Sequence, residues 1–200
     1  MKGKAIVIGS TGLIGSRVVE VLSREYEVLG VSRSTSPAVD ITQAPSIDTL
    51  FAAVGRFDHV LAVAGDAAFG PLESLDREAL MKGVKSKMLG QMQVALAAVT
   101  RLPKGGSITL TGGMLAETPI PGSAGVAFVN GALNSFVRAA ALEMTGERRI
   151  NVVSPGWVKE TMVRMGLDPA PGMAALDVAE LYLQAVQGSS NGEVIKALST

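Results

Sequence analysis

The sequence predicts an α/β fold built on a doubly wound parallel sheet with helices on both faces. Short apolar runs rich in Val, Ile and Leu alternate with longer amphipathic ones along the whole chain. The short runs are almost continuously apolar, as strands covered on both faces must be. No internal repeat, linker or low-complexity segment interrupts the alternation. One domain over residues 1–200 is therefore expected, long enough to bury a sizeable core.

The elements follow in order. Lys4–Ile8 and residues 26–31 read as strands around a helical stretch at 13–24. Residues 39–41 make a brief extended piece, 47–54 a helix and 59–63 a buried strand. Residues 78–100 are good helix formers and stop before Leu102-Pro103, because the position preceding proline disfavours helical backbone. Ser107–Thr111 is a strand. Residues 124–144 carry Ala, Leu, Val and Phe with few charges, which suits a helix buried on several sides. Residues 150–153 form a strand stopped by Pro155-Gly156; 177–187 are helical and 193–196 give a last strand. With 39–41 counted, the sheet has seven strands. The Gly-, Pro- and Met-rich stretch 165–173 reads as a mobile loop.

Composition narrows the function. Hydrophobic residues make up 48% and charged residues 18%, with Lys+Arg and Asp+Glu balanced at 18 each. A neutral chain has no general attraction for nucleic acid or an anionic membrane, so any anionic ligand is held locally. The chain has no cysteine, which excludes disulfides, thiolate metal ligands and cysteine nucleophiles; no other cluster suggests a metal site. The first apolar run, Ala5-Ile6-Val7-Ile8, ends too soon for a secretory signal, and no stretch approaches the roughly 20 apolar residues that span a bilayer. A cytoplasmic location is expected.

The first strand runs into Gly9-Ser10-Thr11-Gly12-Leu13-Ile14-Gly15, which opens a helix. Gly9 permits a sharp turn, Gly12 lets the backbone approach a pyrophosphate, and Gly15 allows the helix to pack closely on the sheet. The helix N-terminus then offers free N–H groups and the positive end of its dipole to phosphates. Strand, glycine turn and helix together are the dinucleotide-binding signature of a Rossmann fold. At the end of the second strand an acidic residue would accept a ribose diol; here Gly30-Val31-Ser32-Arg33-Ser34 stands instead. Arg33 is able to pair with a 2′-phosphate bidentately while Ser32 and Ser34 add hydrogen bonds, so NADP(H) is expected over NAD(H).

From here the chain resembles the short-chain dehydrogenase/reductase family over nearly its whole length. The glycine turn resembles that of extended and atypical members. Val39-Asp40-Ile41 is similar to the aspartate–apolar pair at the adenine. Ala62-Val63-Ala64-Gly65 stands where the family has Asn-Asn-Ala-Gly, keeping Ala64 and Gly65 beside the ribose. Asn151-Val152-Val153-Ser154-Pro155-Gly156-Trp157-Val158, followed by Thr161, is similar to the segment lining the nicotinamide. The resemblance implies that Pro155, Gly156 and Val158 approach the ring, with the Thr161 hydroxyl on a phosphate.

Family members use a Ser, a Tyr and a Lys four residues after the Tyr. Carried over, the Lys position holds Asn130, the Tyr position Val126 and the Ser position Gly113; a further active-site Asn corresponds to Lys87. Val126 cannot transfer a proton, and Asn130 carries no charge to lower a neighbour's pKa, although it can hydrogen-bond ribose hydroxyls. The two tyrosines, Tyr26 and Tyr182, lie too far along the chain to substitute locally. Lys87 is the best alternative proton donor, since burial beside a cationic nicotinamide would bring its pKa toward neutrality; binding ribose or a phosphate is its other reading. Thr111 and Ser123 offer weakly acidic hydroxyls, better read as a strand-end and a helix-cap group. Glu117 reads as a solvated loop carboxylate, and His59 sits at the wrong end of its strand.

Two functions are carried forward. One is an NADP(H)-dependent oxidoreductase acting on a small, fairly apolar carbonyl or enone with a non-standard proton donor. The other is a catalytically inactive dinucleotide-binding redox sensor or scaffold. Met162, Met165 and Met173 suggest an adaptable apolar wall for the small-molecule substrate. By resemblance, a homodimer or homotetramer forms through the two long helices, 78–100 and 124–144.

Overall fold

The computed structural model describes residues 2–144 and 147–196. Its strands are β1 (Lys4–Ile8), β2 (Glu27–Val31), β3 (His59–Ala62), β4 (Ser107–Thr111), β5 (Arg149–Ser154) and β6 (Val194–Lys196). They form one parallel sheet in the order β2-β1-β3-β4-β5-β6, with Ile8 level with Val31 on one side and Ala62 on the other. Among the described residues the sheet has six strands, not seven. Residues 39–41 form no strand: Ala38 makes a single bridge to Ser32, whose carbonyl accepts from the Val39 N–H at 2.9 Å, and the chain then turns at Asp40. Val39 and Ile41 are apolar because they plug the core from a loop, 3% and 6% exposed.

Alternate strand residues serve two layers. Ile6, Ile8, Ile108 and Leu110 face α2 (Ala44–Val54) and two long helices described below, whereas Ala5, Val7 and Val153 face α1 (Leu13–Leu22) and α7 (Ala175–Gln187). Burial of this kind, at about 25 cal/mol per Å² of apolar surface, drives the assembly. The chain leaves β1 for β2 on one side and returns to β3 on the other. The reversal opens a crevice beyond the carboxyl ends of β1 and β3, where ligands of such sheets collect.

The helix expected at 78–100 is one rod with a change of winding inside it. α3 (Arg77–Gly83) passes into a π-helical turn at Val84–Leu89, then into α4 (Gly90–Val99). Asp76 caps the start, its carboxylate accepting from the Ala79 N–H at 2.7 Å. Single π turns of this sort recur at functional sites, and Lys87 lies in this one. α5 (Ala124–Glu143) is long enough, at mean hydropathy 1.2, to cross a membrane by length and composition. A third of it is buried, with Val129, Leu133 and Val137 fully so and the last two against the sheet, so α5 is covered on one face and not on several. The stretch expected as a mobile loop follows a short helix, α6 (Lys159–Arg164), and is tied back at its end. Met173 donates its N–H to the Trp157 carbonyl at 2.8 Å and accepts from Lys159 at 2.9 Å.

Two glycines in helices predict opposite stability effects. A Cβ on Gly15 would lie 2.0 Å from the Gly9 carbonyl oxygen, backbone that cannot yield, whereas one on Gly131 of α5 would meet nothing within 4 Å. Gly15→Ala is expected to destabilise by about 3 kcal/mol or more, through overpacking. Gly131→Ala is expected to stabilise by about 0.5–1 kcal/mol, through helix propensity. Urea denaturation of the two variants checks both; equal shifts would show that α1 is not pressed on the turn.

Candidate functional site

The turn after β1 is shaped by what surrounds it. Gly9 has φ +94°, and a Cβ there would sit 2.8 Å from the Val63 carbonyl carbon. Its N–H and that of Ser10 hold the Val31 carbonyl at 2.8 and 3.2 Å, fixing the turn to the end of β2. Gly12 is the cap residue of α1 and contributes no side chain, and no acidic residue stands in the first turn. The leading N–H groups of α1, at Leu13, Ile14 and Gly15, have no acceptor one turn back and face the crevice end of the helix with its positive dipole. Ser10 turns its side chain against Gly30, and Leu13 packs into the α1–α7 layer.

This crevice has a volume of about 440 Å³. Gly9, Thr11 and Gly12 line one side, Ser32, Arg33 and Ser34 another, and Asp40 and Ile41 a third. The β2 end is held open by Thr35, whose hydroxyl accepts from the Ser32 N–H at 2.7 Å, while Arg33 is exposed. Asp40 accepts from the N–H and hydroxyl of Thr42 at 2.9 and 2.8 Å; these bonds hold its carboxyl below the usual carboxylate range. Sequence reasoning missed Thr42, Asp66 and Ser86, which also line it. The Ser86 hydroxyl accepts from the Asp66 N–H at 3.0 Å, a long-range contact with no sequence signature.

Along Val63, Ala64 and Gly65 the crevice meets a second cavity, of about 510 Å³. Val126, Asn130, Gly113 and Lys87, the four positions singled out by the carry-over of active-site residues, all line it. So do Pro155, Gly156, Val158 and Thr161. Lys87 crosses the junction: a Cβ on Gly65 would lie 2.7 Å from the Lys87 Cα, and the ammonium reaches the Gly112 carbonyl at 2.8 Å. Burial without a counter-charge lowers its pKa from 10.5 to about 8. Lys87 is the sole ionisable side chain of this lining.

Asn130, 1% exposed, directs its amide nitrogen at the Gly113 carbonyl, 3.4 Å away. Glycine at 113 is what admits it, since a Cβ there would stand 2.6 Å from that nitrogen. Thr111 is corrected as a proton donor. Its hydroxyl donates to the Ala62 carbonyl at 2.6 Å, so the 2.7 Å contact with the Tyr182 hydroxyl must be donated by Tyr182. Tyr182 is thus near in space though remote in sequence, but it is wholly buried behind the cavity, where burial pushes its phenol pKa up. Neither tyrosine lines the cavity.

Ser123 stands at the start of α5 but does not cap it; its hydroxyl closes a turn on Ile120, accepting at 3.0 Å and donating at 2.7 Å. Glu117 pairs with Lys196 at the sheet edge. His59 bonds Ser107 at the amino end of the sheet, and burial lowers its pKa to about 4. Among the described residues there is no cluster of potential metal ligands. The methionine wall is corrected too: Met162 is buried beneath Gly172, and the cavity's apolar wall comes from Met114, Leu115, Ile120, Trp157 and Pro171. Gln91, also missed, is fully buried one turn beyond Lys87. It bridges Ala64 and Thr111, donating to both carbonyls at 3.1 Å and accepting from the Thr111 N–H at 2.7 Å.

Residues 15–192 match a family model described as enoyl-(acyl carrier protein) reductase. A solved small-chain dehydrogenase in complex with NADPH superposes with TM-score 0.88 at 28% identity, covering 98% of this chain and 97% of that one. The chain belongs to the short-chain dehydrogenase/reductase family. Within that family, the protein lin1944 of Listeria innocua is 34% identical with TM-score 0.93, covering 98% of this chain and 99% of that one. An uncharacterized oxidoreductase of Methylorubrum extorquens is 27% identical over 79% of this short-chain dehydrogenase/reductase and 74% of its own length. The chain spans 59–74% of the length of the first curated relatives it matches.

Proposed function

We propose that this short-chain dehydrogenase/reductase is an NADP(H)-dependent oxidoreductase of a small, fairly apolar carbonyl or enone, with Lys87 as the proton donor. The observation that carries this reading is the junction of crevice and cavity along Val63-Ala64-Gly65, with a lone ammonium lying across it.

The residues fit such a cofactor. The turn leaves no room for a Cβ at Gly9; its Gly9 and Ser10 amides are tied to Val31 and that of Gly12 to the Gly9 carbonyl, so the amides of Thr11, Leu13 and Ile14 are the ones left for a diphosphate. Asp40 and Ile41 would border the adenine, Ala64 and Gly65 the ribose, and the Asn130 amide a ribose hydroxyl. Pro155, Gly156, Val158 and Thr161 would border the nicotinamide, whose chemistry when bound is hydride transfer. Arg33, with Ser32 and Ser34, would take the 2′-phosphate in a bidentate pairing. A solved relative with NADPH bound supports the choice. On the substrate side, the apolar wall excludes water, and the Lys87 ammonium stands ready to polarise a carbonyl and pass a proton from Nζ to its oxygen or, through water, to the adjacent carbon. The missing cavity tyrosine favours the second reading, a redox sensor without turnover.

We also infer a homodimer or homotetramer joined through α4 and α5. Leu96, 63% exposed, lines a groove of about 360 Å³ with Val99, Phe136 and Met144, and Phe128 projects from α5 49% exposed.

Four outcomes are expected. Arg33→Asp weakens NADPH binding about tenfold or more, as loss of a charge-assisted pair should, while NADH binding changes little; calorimetry with both nucleotides checks it, and equal losses would refute the phosphate assignment. Lys87→Ala lowers kcat/KM for NADPH-dependent reduction across a carbonyl and enone panel by about 10²–10⁴-fold. In the unmodified protein that activity falls as pH rises through about 8, where the ammonium loses its proton. NADPH binding with no turnover on any substrate would decide for the sensor. Leu96→Glu converts the oligomer to monomer in light scattering; an unmodified protein already monomeric at micromolar concentration would remove that inference.

A further inference from the structure

We propose that the 510 Å³ cavity selects small apolar monoanions, pairing a carboxylate or enolate oxygen of the ligand with the Lys87 ammonium. This deepens the reading of the cavity as the substrate site and rests on it. It names the class of molecule: one with an apolar body that fits between Trp157, Met114 and Ile120, and a single oxygen group that is anionic or becomes so.

The charge inventory points there. The cavity wall contains one cation and no carboxylate. Isolated charges are costly to enclose unless paired. Lys87 has only a carbonyl, that of Gly112, as its described acceptor, which leaves N–H donors for a ligand. The charged residues on the elements packed around it are Asp66 after β3, Arg77, Glu78 and Lys82 of α3, Lys85 of its own turn, and Arg138 and Glu143 of α5. All are exposed, and none acts on the ammonium, whose proton affinity is lowered by burial alone. A ligand bearing one negative charge supplies what the wall lacks. A neutral ligand leaves the ammonium uncompensated, and a dianion brings a second charge that nothing in the lining can meet. The same pairing explains how an enone would be accepted without a tyrosine, because the oxygen that gains negative charge would already face a cation.

Trp157 is the only tryptophan in the chain and lines the cavity, so its fluorescence reports occupancy directly. The probes are cyclohexanecarboxylate, its neutral carboxamide, and 1,3-cyclohexanedione as an enolate, titrated into the full chain without nucleotide. At about pH 6.5 the carboxylate is expected to bind at least about tenfold tighter than the carboxamide, and most of that preference to be lost by about pH 9.5, while the ligand stays ionised. Lys87→Met abolishes the preference and its pH dependence, and Lys87→Arg keeps the preference without the pH dependence. A matching gain for the dione extends the site to enolates; a gain for the carboxylate alone restricts it to carboxylates. Equal binding of carboxylate and carboxamide by the unmodified protein overturns the proposal, as does a preference that survives Lys87→Met. If Lys87→Met does not fold, the comparison of ligands and pH in the unmodified protein decides. NADPH binding, followed separately by nucleotide fluorescence, distinguishes the failures. Its loss in the unmodified protein sinks the cofactor reading, whereas its presence alongside indifferent ligand binding sinks the anion site alone.

Discussion

Everything at this site depends on how closely backbone can approach backbone where the sheet reverses direction. The Gly9 turn is in contact with the end of β3 at Val63, and the first turn of α1 lies on the Gly9 carbonyl. Both contacts are closed to any residue with a Cβ in the observed geometry. That proximity sets the depth of the crevice and brings the leading amides of α1 to its floor. On the far side of Val63-Ala64-Gly65 the same principle operates again, with Lys87 seated against Gly65 and Asn130 against Gly113.

The cavity is held rigid from behind by polar groups that look, in isolation, like catalysts. Gln91 ties the ends of β3 and β4 together through three hydrogen bonds, and Tyr182 and Thr111 join α7 to the same place. Fully hydrogen-bonded and buried, these groups specify a geometry. The group left able to exchange a proton with a ligand is Lys87, whose acidity is raised by its surroundings.

β1, β2, β3 and β5 were legible from their apolar runs, β4 from Ile108 and Leu110 alternating with hydroxyl residues, and β6 because a short apolar run follows a helix and a turn. The seventh was a misreading with a physical cause: Val39 and Ile41 have the burial of strand residues but deliver it from a loop, Ile41 pressing on Gly90. α6 escaped notice because six residues leave too little periodicity to detect. The dinucleotide crevice was legible because glycine spacing encodes backbone approach directly. The cavity wall was not, since Met114, Ile120 and Pro171 come from loops whose meeting is set by tertiary packing. Tyr182 shows the same limit. Separation along the chain excluded it from the site, yet the fold brings its hydroxyl to 2.7 Å from Thr111, 71 residues away in sequence.

The π turn at Val84–Leu89 bears on how such a site is altered over generations. It puts α3 and α4 out of the rotational phase a continuous α-helix would give them, with Lys87 of the turn against Gly65 and its ammonium on the Gly112 carbonyl. Deleting one residue would let regular winding resume and swing the side chains of the turn by about 100° around the axis. Such a shift would turn Lys87 away from the cavity it lines, so the chemistry of the wall hangs on how the backbone of one turn is wound.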